Sequence, residues 1–294
     1  VPRCQVANWK AGGGQERENF LLLLERLDLP EWSHVDPAVG LTRDQALAGA
    51  AALGRLHRAF ADDPAGSLFG SEGALAWLPR TVLDSQGAGM QHYYGCIFQL
   101  HQRLLEDLLP PGGLAAAEKL MTGGLREIFE RLAEPPLTLC HGDFRPENLR
   151  FGAGDNKTRV AGVEGEDGGL PAVAAFDWGL AHRGRGLYDF AYYVMLCQTP
   201  EHRRERELDM LRLYLLAREG AAADEAALAR AFEEVKAAAL GVLAMVMVTR
   251  MHSRSAGFFQ CTRDMLTRML GWVGHAIADW NAHDAMTAYL ARGI

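Results

Sequence analysis

The sequence predicts an α+β fold in which a small group of short strands lies between two helical regions. Near the start, apolar segments at 4–9 and 19–25 flank the glycine-rich stretch KAGGGQERE, a pattern typical of a β-hairpin. Apolar residues then recur at helical spacing, short strand-like runs follow between 137 and 176, and helical periodicity returns from Gly186 onward. These three observations favour a mixed fold whose second half is mainly helical.

Local signals predict the individual elements. Thr42 and Gln45 have the spacing of a capping box and predict a helix that runs to about Phe60. The segment 61–89 lacks clear periodicity and is expected to be a loop. The other predicted helices span 93–108, 114–133, 187–198, 201–219, 223–250 and 260–289. The predicted short strands are 137–140, 148–151, 158–163 and 172–176.

Composition narrows the classes of partner. The 294 residues are 49% hydrophobic and 23% charged and carry a formal net charge of -7, which gives no basic surface for a nucleic-acid backbone. The longest apolar run, 237–248, is shorter than the roughly 20 residues that cross a bilayer. Five scattered cysteines without C-x-x-C spacing are typical of a reducing cytosol. We therefore expect a cytoplasmic protein that binds neither nucleic acid nor membrane, and its oligomeric state stays open.

The strongest functional signal is the stretch HGDFRPENLRF at 141–151, which directly follows a predicted strand. Asp143 and Asn148 lie within it, and Asp177 follows in AFDWG after another predicted strand. Phosphoryl transfer needs a carboxylate that accepts the proton of the attacking hydroxyl, and oxygen ligands that hold Mg²⁺ against the nucleotide phosphates. Protein kinases supply these groups in H-R-D-x-x-x-x-N and D-F-G, with the same aspartate-to-asparagine spacing. The ordered set therefore favours a catalytic loop over polar turns between strands.

With these motifs the sequence resembles the aminoglycoside phosphotransferase and choline kinase-like superfamily, in particular its ecdysteroid-kinase-like (CHK kinase-like) branch of small-molecule kinases. The matching stretches are TLCHGDFRPENLRF, AAFDWGLAHRGRGLYDFAYYV, PEHRRERELDMLRLYLLAREG and FLLLLERL. The resemblance implies a protein-kinase-like fold. Residues 1–29 would be a truncated N-terminal lobe with the hairpin and the hinge, and residues 30–294 would form a large, mainly helical C-terminal lobe.

The resemblance also implies a role for each matching residue. Asp143 would be the catalytic base, or would orient the substrate hydroxyl, and Asn148 and Asp177 would bind Mg²⁺. Arg145 would either stabilise charge on the transferring phosphoryl group or be a simple surface charge. The backbone expected to face the adenine of ATP belongs to Glu25, Arg26 and Leu27.

Three further polar residues are expected to be structural. Asp189 matches a family aspartate that braces the catalytic loop, although a position near a helix start also suits any acidic residue. His141, at the end of a strand, is expected to fix the loop rather than to act as an acid or base. His57 lies on an apolar helical face and is expected to pack in the core.

The glycine-rich loop and the strand lysine with which such kinases hold the nucleotide phosphates are not recognisable in the sequence. One interpretation is a fragment of an active small-molecule kinase whose first strands lie upstream of Val1. The other is a degenerate kinase fold that serves as a binding or scaffold protein. The presence of Asp143, Asn148 and Asp177 favours the first interpretation, although the 294-residue chain alone is expected to show little or no turnover.

The expected reaction is transfer of the γ-phosphoryl group from ATP, with Mg²⁺, to a hydroxyl of a small molecule. No motif in 200–294 indicates which hydroxylated substrate accepts the group. The net charge of -7 is spread along the chain and does not establish a cationic acceptor.

Overall fold

The computed structural model describes residues 4–10, 19–24, 26–27, 30–36, 39–61, 68–81, 90–153, 157–158, 169–255 and 263–284. The chain begins with strand β1 (Cys4–Lys10), which pairs antiparallel with β2 (Asn19–Leu24) and places Trp9 opposite Phe20. The hairpin predicted for this region is therefore confirmed.

Helix α1 spans Arg43–Ala59 and starts with the predicted capping box. The Thr42 hydroxyl accepts a hydrogen bond from the Gln45 main-chain N–H at 3.3 Å, and the Gln45 side-chain oxygen accepts one from the Thr42 N–H at 3.0 Å. Two of the N–H groups that a helix start leaves without partners are thus satisfied. Because a Cβ at Gly54 would lie 2.4 Å from the carbonyl oxygen of Tyr214, only a glycine lets α1 approach the later helix that contains Tyr214 this closely.

The next helices differ from the prediction in one respect. Helix α2 spans Met90–Leu108, close to the predicted bounds. The helix predicted at 114–133 instead consists of α3 (Pro111–Lys119), a π-helical turn (Leu120–Gly124) and α4 (Leu125–Leu132). The turn contains Thr122, Gly123 and Gly124, which are poor helix formers and weaken the regular α-helical hydrogen bonding there. The described part of the predicted loop, 68–81, consists of turns and bends.

The short strands of the described residues are β3 (Trp32–Ser33), β4 (Thr138–Cys140), β5 (Leu149–Gly152), β6 (Lys157–Thr158), β7 (Leu170–Pro171), β8 (Val173–Ala175) and β9 (His182–Gly184). These strands form three small antiparallel sheets. One sheet has the order β3, β5, β8, while β4 pairs with β9 and β6 pairs with β7. The predicted strand at 158–163 is described only at its first residue, which belongs to β6.

The second half of the described chain is helical, as predicted. Its helices are α5 (Gly186–Leu196), α6 (Pro200–Glu219), α7 (Glu225–Ser255) and α8 (Arg263–Asp279). Helix α5 is buried at every position and packs against α1, α7, α8 and β4, so it lies at the centre of the core. None of the described helices has the length and hydrophobicity of a membrane span.

Candidate active site

The loop at 141–148 connects β4 to β5 and is held at both ends by different sheets. At Gly142 the backbone adopts φ = +82°, a left-handed conformation that favours glycine. A Cβ at this position would also lie 2.2 Å from the carbonyl oxygen of Leu180. The loop therefore lies directly against the segment that follows Asp177, and it can do so only because residue 142 has no side chain.

The Asp143 carboxylate is contacted by three neighbouring side chains. Its Oδ1 accepts a hydrogen bond from the Tyr192 hydroxyl at 2.7 Å, and its Oδ2 accepts one from Asn148 Nδ2 at 2.8 Å. Arg145 Nε lies 2.9 Å from the same Oδ1 as a charge contact whose N–H is not well aligned. The side chain remains 14% exposed, so it is held firmly and still reaches the surface.

Asn148 is buried, and its amide has a single possible orientation. Nδ2 donates to the main-chain oxygen of Asp143 at 2.9 Å and to its carboxylate at 2.8 Å. Both partners are acceptors only, so the amide nitrogen must face them. The carbonyl Oδ1 of Asn148 is consequently directed away from Asp143, as a metal ligand at this position requires.

Asp177 lies in the turn after β8, and its side chain is exposed. Its φ of 62° is unusual for a residue other than glycine, and such strained positions cluster at functional sites. The preceding residue, Phe176, donates its N–H to the Asn148 carbonyl at 3.1 Å and accepts from His141 Nε2 at 3.0 Å. The backbone beside Asp177 is therefore tied to both ends of the loop that contains Asp143.

Asn148 and Asp177 together present an amide oxygen and carboxylate oxygens. Oxygen donors of this kind suit Mg²⁺, which is usually bound through one or two carboxylates together with water and substrate phosphates. The residues predicted as metal ligands therefore fit that ion in their chemistry and in the orientation of the Asn148 amide.

Arg145 lies within the site, and its side chain is only 14% exposed. Its guanidinium spans two carboxylates, because Nε approaches Asp143 and an Nη atom lies 3.5 Å from Glu147 Oε1. An arginine held so close to the predicted base is not a solvated surface charge. Whether it contacts a phosphoryl group stays a prediction.

His141 is fully buried, and both ring nitrogens are engaged. Nε2 donates to the Phe176 carbonyl, and Nδ1 accepts from the main-chain N–H of Asp143 at 3.3 Å. The ring also lies against Trp178, with the ring centres 4.5 Å apart. These contacts support the structural role expected of His141 and account for the shape of the loop.

Asp189, in the first turn of α5, binds the backbone at the start of the loop. Its two carboxylate oxygens accept the main-chain N–H of His141 at 2.5 Å and of Gly142 at 2.9 Å. A carboxylate that accepts two backbone N–H groups fixes the positions of both residues. Asp189 is therefore a brace for the loop, in the place that the family resemblance implied.

His57 was expected only to pack in the core, yet it contacts this brace. Its Nε2 lies 3.4 Å from Asp189 Oδ2, and its Nδ1 is 2.9 Å from the Tyr214 hydroxyl. Burial lowers the pKa of His57, although the Asp189 charge opposes this, so the ring is neutral near pH 7. The contact joins α1 to α5, which are far apart in the sequence, so no local signal could have indicated it.

The Asp189 carboxyl stays ionised despite complete burial. Burial alone would raise its pKa, but the hydrogen bond with His57, together with the nearby His182 and His141 rings, outweighs burial, and the pKa falls below its usual value. The two main-chain N–H groups favour the ionised form in the same direction. The brace is therefore a charged group whose partners all come from the protein.

Among the described residues, His57, Cys140 and Asp189 form the one group of metal-binding side chains that lie close together. All three are engaged in the protein, since Cys140 Sγ contacts the Arg185 carbonyl at 3.6 Å. Burial, with the charge of Asp189, raises the pKa of the Cys140 thiol, whereas a metal ligand must be a thiolate. This cluster supports the loop and is separate from the residues predicted to bind Mg²⁺.

The predicted adenine-facing backbone is only partly described. Glu25 lies outside the described residues, while Arg26 is exposed and Leu27 is half-buried in a segment without regular structure. The expected contact of these three residues with adenine therefore stays a prediction.

The sequence matches the family described as "Phosphotransferase enzyme family" over residues 3–232. The chain belongs to this family. The match includes Asp143, Asn148, Asp177 and Asp189, and it confirms the predicted superfamily and the kinase-like α+β fold class. A comparison with curated proteins finds no match.

This phosphotransferase family member is also similar to three solved structures. A choline/ethanolamine kinase family protein from Mesorhizobium loti is 13% identical, with a TM-score of 0.48 over 98% of this chain and 78% of that one. An ethanolamine kinase from Plasmodium vivax is 13% identical, with a TM-score of 0.44 over 94% and 68%. A microcompartment-associated aminopropanol kinase is 15% identical, with a TM-score of 0.41 over 95% and 74%.

Proposed function

We propose that the protein transfers the γ-phosphoryl group of ATP to a hydroxyl group of a small molecule. The observation that carries this proposal is the coupling of Asp143 to Asn148. The Asn148 amide nitrogen donates to the Asp143 carboxylate, and the amide oxygen therefore faces away from Asp143, where it can bind a metal ion. One side chain thus connects a base for the acceptor hydroxyl to a metal site for the nucleotide phosphates.

In the proposed reaction, each residue of the site has a separate task. Asp143 orients the acceptor hydroxyl and accepts its proton through a carboxylate oxygen. Asn148 Oδ1 and the exposed Asp177 carboxylate would hold Mg²⁺, which when bound would neutralise charge on the nucleotide phosphates. Arg145, beside Asp143, stabilises negative charge on the transferring phosphoryl group.

The acceptor is proposed to be a hydroxylated small molecule that binds next to Asp143. The C-terminal lobe, residues 30–294, would contain this site, and the N-terminal lobe, residues 1–29, would contribute the backbone that faces adenine. The Asp143 side chain is 14% exposed, so an acceptor hydroxyl can reach it from the surface.

A second candidate function is binding without efficient catalysis. It is favoured by the sequence, in which no lysine follows the pattern of the phosphate-clamping strand lysine. Lys119 Nζ donates to the His283 carbonyl at 3.3 Å, and Lys236 Nζ binds Glu233 at 2.7 Å. Both lysines lie on helices, α3 and α7, and are engaged away from the catalytic loop.

The test uses the gene product that carries residues 1–294, expressed from its natural start codon. ATP, Mg²⁺ and a panel of hydroxylated metabolites are supplied, and ADP formation and acceptor phosphorylation are both measured. The proposal predicts transfer by the wild type and none by Asp143→Ala. Asp209→Ala, which removes a carboxylate from an exposed ion pair, is the control and should leave the rate unchanged.

Three outcomes separate the candidates. Acceptor phosphorylation that depends on Asp143 supports the proposed transferase. Nucleotide binding by the wild type without transfer to any acceptor favours the binding function. Full activity of Asp143→Ala would show that another group is the base.

A further inference from the structure

We propose that Tyr192 is a positioning residue that holds Asp143 through Oδ1 and so reserves Oδ2 for the acceptor hydroxyl. This inference rests on the proposed function, because it assigns a role within the same reaction. The sequence motifs include no tyrosine among the residues with an expected role. The structure brings the Tyr192 hydroxyl to 2.7 Å from the carboxylate.

The first argument is the geometry of helix α5. Asp189 and Tyr192 are three positions apart, so they lie on the same face of the helix. Asp189 holds the main-chain N–H groups of His141 and Gly142, while Tyr192 holds the side chain of Asp143. A single rigid helix in the core therefore fixes both the backbone of the loop and the direction of the reactive carboxylate.

The second argument is a count of the acceptor positions on Asp143. An ionised carboxylate offers about four lone-pair positions, two on each oxygen. Among the described residues, Oδ1 accepts the Tyr192 hydrogen bond and has Arg145 Nε 2.9 Å away as a charge contact, whereas Oδ2 accepts only from Asn148 Nδ2. The Arg145 guanidinium lies against Oδ1, so the less crowded oxygen is Oδ2, next to the residue whose amide oxygen is available for the metal. Tyr192 thereby selects which oxygen accepts the substrate proton.

The third argument is that Tyr192 remains a donor under all working conditions. Its side chain is only 6% exposed, and its ring lies against Tyr188 with the centres 6.2 Å apart. Burial, together with the charge of Asp143, raises the pKa of Tyr192 well above its usual value. The hydroxyl therefore keeps its proton and donates a charge-assisted hydrogen bond to the carboxylate.

The neighbouring Tyr193 provides a matched control. Its hydroxyl donates to the main-chain oxygen of Gln45 at 3.0 Å, with a longer contact to Ala46 at 3.3 Å, both in α1. Tyr193→Phe and Tyr192→Phe therefore remove the same atom from adjacent buried residues of one helix. Only the second substitution removes a hydrogen bond to Asp143.

The experiment measures kcat and the KM for ATP and for the acceptor, with the gene product described above. Tyr192→Phe is expected to lower kcat by about 10- to 100-fold, since a misplaced base loses part of its contribution. Both KM values should stay within about twofold, because Tyr192 contacts neither the nucleotide nor the acceptor in this role. Tyr193→Phe should retain the wild-type kcat.

A double-mutant cycle in urea tests the same contact without an activity measurement. Asp143→Ala, Tyr192→Phe and the double variant are compared with the wild type. The coupling between the two positions should change the unfolding equilibrium constant by about tenfold, as expected of a hydrogen bond to a charged group. The cycle is needed because either single variant also alters other contacts.

The possible results have distinct meanings. A fall in kcat at constant KM, together with coupling in the cycle, supports the positioning role. An active wild type whose Tyr192→Phe variant keeps full kcat overturns this role and leaves the proposed function standing. Absence of transfer by the wild type overturns the proposed function, and the positioning role fails with it, whatever the unfolding cycle shows.

Discussion

Replacing Asp189 by alanine removes the buried group that binds the start of the catalytic loop. In the native structure its carboxylate accepts the N–H groups of His141 and Gly142 and lies beside His57 Nε2. Alanine can accept none of these, and water has little access to a site where Asp189 and His57 are both 0% exposed. The substitution therefore leaves several polar groups buried without partners.

The cost follows from those groups. Each buried donor left without a partner costs about 1–3 kcal/mol. Two main-chain N–H groups and one imidazole are affected, and partial relaxation reduces the sum to about 3–5 kcal/mol. A typical domain has only about 5–15 kcal/mol of stability, so the variant should be strongly destabilised and should lack phosphate transfer.

Equilibrium unfolding in urea, followed by circular dichroism near pH 7.5, measures this loss. The control is Asp209→Ala, because Asp209 pairs with Arg43 at 3.2 Å while 48% and 60% of the two side chains are exposed. An exposed pair of this kind contributes at most about 1 kcal/mol. If Asp189→Ala were as stable as this control, the carboxylate would not be bracing the loop.

Three other substitutions extend the test. Gly142→Ala should lose at least about 2 kcal/mol in urea and abolish transfer, because φ is +82° and the new Cβ would meet the Leu180 carbonyl oxygen. The wild type should lose stability as the pH falls below about 6.5. The pKa of His57 is lowered by burial in the folded protein, so the unfolded chain binds a proton at this residue at a higher pH than the folded chain does. In His57→Gln the slope between pH 6.5 and 5.5 should decrease by up to about 1.4 kcal/mol per pH unit. Thr42→Ala should cost about 1 kcal/mol in urea by removing the cap of α1.

Each of these predictions can fail on its own. A Gly142→Ala variant with wild-type stability would mean that the loop can move away from Leu180. An unchanged pH slope in His57→Gln would mean that this ring is charged in the native state. A Thr42→Ala variant as stable as the wild type would mean that the capping box contributes little.

Adjacency along the chain explains which parts of the site were predictable. Asp143, Asn148 and the loop between them lie in one short stretch, and the chemistry of phosphoryl transfer explains their spacing. The capping box of α1 was readable for the same reason, since Thr42 and Gln45 are three residues apart. Local signals of this kind can be recognised in the sequence without any knowledge of tertiary contacts.

The supporting residues depend on contacts between distant segments. His57 meets Asp189 across 132 positions, and the Tyr192 hydroxyl meets Asp143 across 49. Because α5 is buried on all sides, its sequence has no polar face that would single out Tyr192, and Asp189 was expected to brace the loop only from the family resemblance. Strands of two or three residues, such as β3 and β9, are too short to show the alternation by which strands are recognised.

The rate of phosphate transfer by Asp143→Asn tests the central claim most directly. Asparagine keeps the size of the side chain but cannot accept the proton of an acceptor hydroxyl. We predict that kcat falls by at least about 100-fold while the KM for ATP changes less than about twofold. A kcat within about twofold of the wild type would contradict the assignment of Asp143 as the base.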